Sequence, residues 1–273
     1  MNLSKQKSHN KKDSAMAGSK TNQIITRVAT YSILIIMTFL IFVPIFWMIS
    51  TSLKTEAVMF DTPIELIPSD PTLDSYKNLW SAYPFLAYLR NSIFVVSAAT
   101  FFSVSISTFA GYGISRFKFR GRGFYMSFLL ATQLFPSIML LIPYYKIFKS
   151  LNLIDSLYGL IVAYVSFTIP FCTWMMRGYF NGISRDLDQA ASIDGANRFR
   201  VFRSVILPLA WPGIAATAIY AFIAGWNEYL FALVFINTTE KKTVSLGIGQ
   251  LIGEYRVLWN ELMAAAFFAL VPM

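Results

Sequence analysis

What most constrains this chain is a series of apolar runs of about twenty residues, the length needed to cross a ~30 Å hydrocarbon core as a helix. They cover residues 28–50, 92–114, 124–145, 157–176 and 209–236, and a shorter one occupies 262–273. Composition points the same way. The chain is 56% hydrophobic and 14% charged, where soluble domains have about 45–50% apolar and about 25% charged residues. One soluble core could not bury that excess, so an all-α integral membrane protein is the expected fold class. The run 262–273 is too short to cross a bilayer, and the expectation is a sixth span cut within its length.

Charge gives the orientation. The net charge is +9, which by itself would suggest nucleic acid or an anionic surface as partner. The basic residues instead sit in short stretches between apolar runs. Arg116, Lys118, Arg120 and Arg122 share one loop; Arg177, Arg185, Arg198, Arg200 and Arg203 share another; Lys5, Lys7, Lys11, Lys12 and Lys20 crowd the N-terminus. The positive-inside rule places all three in the cytoplasm. Residues 1–26 read as a disordered cytoplasmic tail, with no role in nucleic-acid binding, and 27–273 as the transmembrane domain. Residues 51–91, where acids outnumber bases, lie outside, as does the polar stretch 237–260.

The spans have their own markings. The first carries Pro44 and Trp47, and exceeds the apolar length of a cleaved signal peptide. The second is rich in Ser, Thr and Ala, as in closely packed membrane helices. The third contains Gln133, Pro136 and Pro143, and Pro170 interrupts the fourth.

The polar interlude 177–208 is too long for a plain helix–helix connection, which takes about 2–8 residues. Ser184 can cap a short helix with Asp186 and Asp188 in its first turn, where acids suit the helix dipole. Gly195 stands where a left-handed C-terminal cap is expected. On that helix Leu187, Ala190 and Ala191 share a face flat enough for another surface to approach. Asn197 can start a second helix with Phe199, Phe202, Ile206 and Leu209 on one stripe. The segment is either a lid folded onto its own bundle or a docking element for a cytoplasmic partner.

Catalytic grammar is missing. The segment Gly18-Ser19-Lys20-Thr21 lacks phosphate-loop spacing, and Gly247, Gly249 and Gly253 do not form a dinucleotide fingerprint. Cys172 is the one cysteine and His9 the one histidine, which leaves little for metal or redox chemistry. The chain reads as a non-enzyme without catalytic or metal-binding residues, and any energy must come from another subunit.

At this point the residues match a family. Gln189-Ala190-Ala191-Ser192-Ile193-Asp194-Gly195-Ala196, followed by Ile206-Leu207-Pro208, resembles the E-A-A loop of bacterial ABC importer permeases. Tyr112-Gly113-Ile114-Ser115-Arg116, Trp226-Asn227-Glu228-Tyr229 and Asn260-Glu261-Leu262-Met263-Ala264-Ala265 are similar to segments of MalG-type carbohydrate permeases. The resemblance implies a six-span bundle in the bacterial plasma membrane and a partner permease subunit. It also implies two ATPase subunits that carry ATP and magnesium, and an extracytoplasmic solute-binding protein. By the same resemblance Asp186, Leu187, Asp188, Gln189, Ala190 and Ala191 form a coupling helix seated on the ATPase. Asp194, Gly195 and Ala196 shape the turn after it, and Ile206, Leu207 and Pro208 join it to span five. Gln189 stands where the family has Glu and so lacks its charge; Asp188 is the neighbouring carboxylate that could replace it.

Glu228 is the one acid within an expected span, near its outer end. It reads either as a structural acid or as a residue of the translocation-path mouth that contacts the binding protein. Gln133, Trp226 and Asn227 offer the amide and aromatic groups that neutral sugars need. The sequence therefore reads as an importer permease for sugars or oligosaccharides. The alternatives are an ABC permease for peptides, amino acids or ions, and a self-contained secondary transporter.

Overall fold

The computed structural model describes residues 3–60, 62–253 and 257–273, with side chains from Ile25 onward. Among the described residues the chain is a helical bundle, its one β-feature an isolated bridge between Ile252 and Val257. In chain order the α-helices are α1 (Leu3–Ser52), α2 (Asp74–Ala82), α3 (Phe85–Arg116), α4 (Arg122–Thr132), α5 (Ser137–Ser150) and α6 (Leu157–Gly182). They continue as α7 (Asp186–Ile193), α8 (Arg198–Val201), α9 (Leu207–Trp226), α10 (Leu230–Phe235), α11 (Val244–Gly249) and α12 (Trp259–Leu270). A π-helical turn, Phe202–Ile206, joins α8 to α9, so Arg198–Trp226 is one continuous helical rod.

Four of these elements are long and apolar enough to span a membrane: residues 25–52 of α1, α3, α6 and the rod ending in α9. The expected third span, 124–145, is not one straight helix. It is α4 and α5, bent by 99° across residues 133–136. Pro136 explains the break: its ring excludes the carbonyl of Thr132 four residues earlier, it offers no N–H, and it biases Phe135 away from helical geometry. The expected fifth span, 209–236, is also interrupted, because α9 ends at Trp226 and α10 begins at Leu230. Three expected boundaries move outward. The helix of span two begins at Phe85, that of span four continues to Gly182, and the helical backbone of span one extends back to Leu3 through the residues expected as a disordered tail. That tail contains no proline and one glycine, Gly18, so its backbone has little to stop a helix. The short apolar run at the C-terminus forms the 12-residue helix α12.

The central unit is α3 packed lengthwise on α6, with α9 against both. Small and hydroxylated residues make this possible, as expected for membrane helices. Ser103 and Thr168 share a 2.6 Å hydrogen bond, Thr173 donates to Ser107 at 3.2 Å, and Ser115 donates to Asn181 at 2.9 Å. Between these rungs the backbones almost touch at Gly111, where a Cβ would lie 2.7 Å from Met176 Cβ. The core around Val95, Leu160, Tyr164, Phe231 and Phe235 fills one end of the unit. Met176, Phe180, Val201, Phe202 and Ile206 fill the other, beneath the polar interlude. Helix α1 packs on α12, and its apolar stretch remains unburied by the rest of the chain.

Candidate functional site

The polar interlude folds as an elbow at the Arg116 end of α3. Ser184 accepts a hydrogen bond from the Asp186 N–H at 3.2 Å, which starts α7 with Asp186 and Asp188 in its first turn. Gly195, at φ +80°, ends it. The Ala196 N–H reaches back to the Ala191 carbonyl at 3.0 Å, the bond expected of a left-handed C-terminal cap. Asn197 Oδ1 accepts from the Arg200 N–H at 2.9 Å and starts α8. The π-turn lies just before Pro208, which cannot donate to Ser204 and would collide with its carbonyl in a regular α-helix.

The two helices do not present the faces expected from their spacing alone. Ala191 turns inward with Ala196 onto the Phe180, Val201 and Phe202 cluster, while Ala190 and Gln189 turn outward. Leu187 is 40% exposed and Ile193 85%, so the outward surface of α7 is Leu187, Gln189, Ala190 and Ile193. On the following rod only Phe202 and Ile206 of the expected stripe are buried; Phe199 is 65% exposed and Leu209 also faces out. The π-turn adds one residue to the helical repeat, which rotates Leu209 outward and brings Ala210 into the core.

Asp188 likewise points inward. Its Oδ2 lies 3.1 Å from Arg116 Nε in a pair whose side chains are 20% and 6% exposed respectively. Tyr112 donates to Asp188 Oδ1 at 3.4 Å, and Arg116 donates to the Ile183 carbonyl at 3.1 Å. Arg185 closes the joint from the other side, donating to the Ser115 carbonyl at 2.7 Å. The carboxylate expected to replace the missing charge at Gln189 is thus held by an arginine of the same chain. Tyr112, Arg116, Arg185, Gln189, Ser192 and Arg198 line an open cleft of about 480 Å³ beside this joint. The sequence marked Arg116 as one of four loop cations and as the end of the Tyr112–Arg116 motif; its pairing with Asp188, 72 residues later, is a tertiary contact that no local pattern carries.

Of the four residues expected along a translocation path, Trp226, Asn227 and Glu228 sit together at the end of α9, while Gln133 lies at the α4–α5 break. The Trp226 indole is buried and donates to the Ala269 carbonyl at 3.0 Å, which ties α9 to α12. Glu228 caps α10: its Oε1 and Oε2 accept from the Phe231 and Ala232 N–H groups at 2.8 and 3.2 Å. Ser245 donates to the Glu228 carbonyl at 2.6 Å, which ties the break between α9 and α10 to α11. Asn227 is exposed and, with Trp226 and Ser245, lines a cleft of about 320 Å³. Gln133 lies at the α4–α5 break and donates to the Phe167 carbonyl of α6 at 3.3 Å.

At the opposite end of the bundle, Asp155 fastens two loops. Its Oδ1 accepts from the N–H groups of Asn237 and Thr238 at 3.0 and 2.9 Å, and Lys241 Nζ lies 3.0 Å from its Oδ2. Partial burial opposes its ionisation, but the bonds from Thr238, Lys241 and Asn237 outweigh that and hold the carboxyl below the usual carboxylate range. Spacing gave no sign of this site.

Residues 103–273 match the family described as binding-protein-dependent transport system inner membrane component. The sulfoquinovosyl glycerol transport system permease protein SmoH of Agrobacterium fabrum is 36% identical over 84% of this chain and 81% of its own length. The trehalose/maltose transport system permease protein MalG of Thermococcus litoralis is 34% identical over 92% of this chain and 91% of its own. Among solved structures, a chain of a bacterial ABC transporter involved in import of the acidic polysaccharide alginate superposes with a TM-score of 0.73. The coverage is 91% of this chain and 92% of that one, at 23% identity, a likeness of fold.

Proposed function

The chain belongs to the binding-protein-dependent transport system inner membrane component family, and from that premise we propose that it is the permease through which a sugar or oligosaccharide is imported. It is a multi-pass membrane protein and a transport component rather than an enzyme. The sugar assignment rests on relatives that align over most of the chain, the sulfoquinovosyl glycerol and trehalose/maltose permease proteins.

The proposed assembly contains a second permease subunit, two ATPase subunits that bind ATP and magnesium, and an extracytoplasmic solute-binding protein, all embedded in or adjoining lipid. The N-terminus and the elbow face the cytoplasm, in keeping with their excess of Lys and Arg. The observation that carries the coupling role is the exposed apolar surface of α7, with Leu187, Ala190 and Ile193 pointing away from the bundle at its basic end. An ATPase cleft would cover it. ATP can shift the permease between inward- and outward-facing states only by binding one state more tightly than the other, and the elbow is where that difference would enter. Asp186, Leu187, Gln189 and Ala190 make the contact, Asp188 and Ala191 hold α7 to the bundle, and Asp194, Gly195 and Ala196 fix its end. Ile206, Leu207 and Pro208 join it to α9. Asn227 and Gln133 are the amides placed to meet substrate; Trp226 and Glu228 act through their helix contacts.

The test is co-expression of the tagged chain with its genomic neighbours, followed by purification and uptake assays over panels of sugars, peptides and amino acids. The expected result is a co-purifying ATPase and ATP-dependent uptake of a sugar. Gly195→Asp combined with Ala190→Arg should abolish uptake and ATPase retention while membrane insertion persists. Uptake of peptides or amino acids alone would refute the sugar assignment, and uptake unaffected by the double substitution would refute the docking role of α7.

A further inference from the structure

We propose that the Arg116–Asp188 pair is a strut that transmits displacement of α7 to α3, so that its loss uncouples ATP hydrolysis from transport without releasing the ATPase. This inference rests on the reading of α7 as the ATPase contact. Helix α7 is short, and its outward residues Leu187, Gln189, Ala190 and Ile193 are exposed. Its inward attachments are of two kinds. Ala191 and Ala196 lie on an apolar cluster, a contact without direction that permits sliding. Asp188 meets Arg116 at 3.1 Å as an ion pair between largely buried side chains, and the Tyr112 hydroxyl of α3 holds its other carboxylate oxygen.

Arg116 is itself held. It donates to the Ile183 carbonyl in the turn leading to α7, and Arg185 returns a bond from that turn to the Ser115 carbonyl. The last turn of α3 and the first of α7 are therefore crossed by polar contacts in both directions. Helix α3 cannot take up a push by sliding along α6, because Ser115 is bonded to Asn181 and Gly111 brings the two backbones into contact one turn away. A displacement of α7 at its exposed face thus passes through Arg116 into the α3–α6 unit. An ion pair kept only to neutralise a buried charge would be replaceable by apolar residues of similar volume. A strut would not.

That difference sets the experiment. Asp188→Asn, Asp188→Glu and the combined Arg116→Met/Asp188→Leu would be purified with their ATPase and reconstituted. Retained ATPase, melting temperature, and stimulation of ATP hydrolysis by the solute-binding protein with sugar would then be measured. Asp188→Glu should keep stimulation within about twofold of the unaltered chain. Asp188→Asn should lower it at least tenfold with the ATPase still bound. The apolar pair should retain the ATPase and the melting temperature yet stay uncoupled. Recovery of stimulation in the apolar pair, or full stimulation in Asp188→Asn, would overturn the strut. Loss of the ATPase from Asp188→Asn would also overturn it, because the pair would then serve docking. Failure of the unaltered chain to retain an ATPase would refute the underlying docking reading as well.

Discussion

Replacing Gly111 by alanine tests the packing on which transmission through this bundle depends. An alanine Cβ there would lie 2.7 Å from Met176 Cβ and 2.8 Å from the Arg177 backbone nitrogen. Ordinary carbon contacts are about 3.5–4.0 Å, so α3 and α6 would have to separate by about 1 Å. Neither obstacle is the free end of a flexible side chain. Overpacking of this kind costs about 1–3 kcal/mol. Gly113, two residues along the same helix, is the control, because a Cβ there meets nothing within 4 Å. Gly113→Ala should be neutral or gain up to about 1 kcal/mol from helix propensity. The two variants should therefore differ by about 1–4 kcal/mol, or roughly 2–16 °C in melting temperature for a chain of this size. Thermal unfolding of each purified variant in the same detergent measures the gap. Equal melting temperatures would refute the close approach of α3 and α6.

Asp155→Asn keeps an acceptor but loses the charge that draws Thr238 and Lys241 together, and should cost about 1–2 kcal/mol at neutral pH. Because the Asp155 carboxyl is held below its ordinary value in the folded protein, its stabilisation is present above the unfolded pKa and is lost as pH falls toward the folded one. The melting gap between the unaltered chain and this variant should narrow below about pH 4; a gap that widens would refute the assignment. Glu228→Ala should cost about 1–2 kcal/mol by uncapping α10, with Glu228→Gln losing less. If instead both variants melt like the unaltered chain and change only the KM for uptake, Glu228 belongs to the substrate path.

What the sequence disclosed follows the range of the interactions involved. Apolar runs, Pro136 and the capping residues Ser184, Gly195 and Asn197 act through their own neighbours, and each is matched by a helix, a break or a cap. The faces of α7 and of the following rod were less legible. The π-turn before Pro208 alters the repeat, and the Phe180–Phe202 cluster draws Ala191 inward away from Ala190. The start of α3 at Phe85 reflects the core that Phe85 and Tyr88 form with Val244, Leu251 and Ala265, assembled from distant segments. Asp188 with Arg116, and Asp155 with Thr238, depend on residues far apart in sequence, and local spacing records neither.

The central claim is that energy enters this permease through the outward face of α7, and cross-linking at Ala190 tests it most directly. With Cys172 replaced by serine and Ala190→Cys introduced, a photo-cross-linker attached to the new thiol through a maleimide should, on illumination, join this chain to the ATPase subunit in membranes. The yield should change when ATP and the solute-binding protein are supplied, while a cysteine at Phe124, exposed on α4, should give no such product. Failure of position 190 to reach an ATPase in an assembly that still transports its sugar would contradict the account.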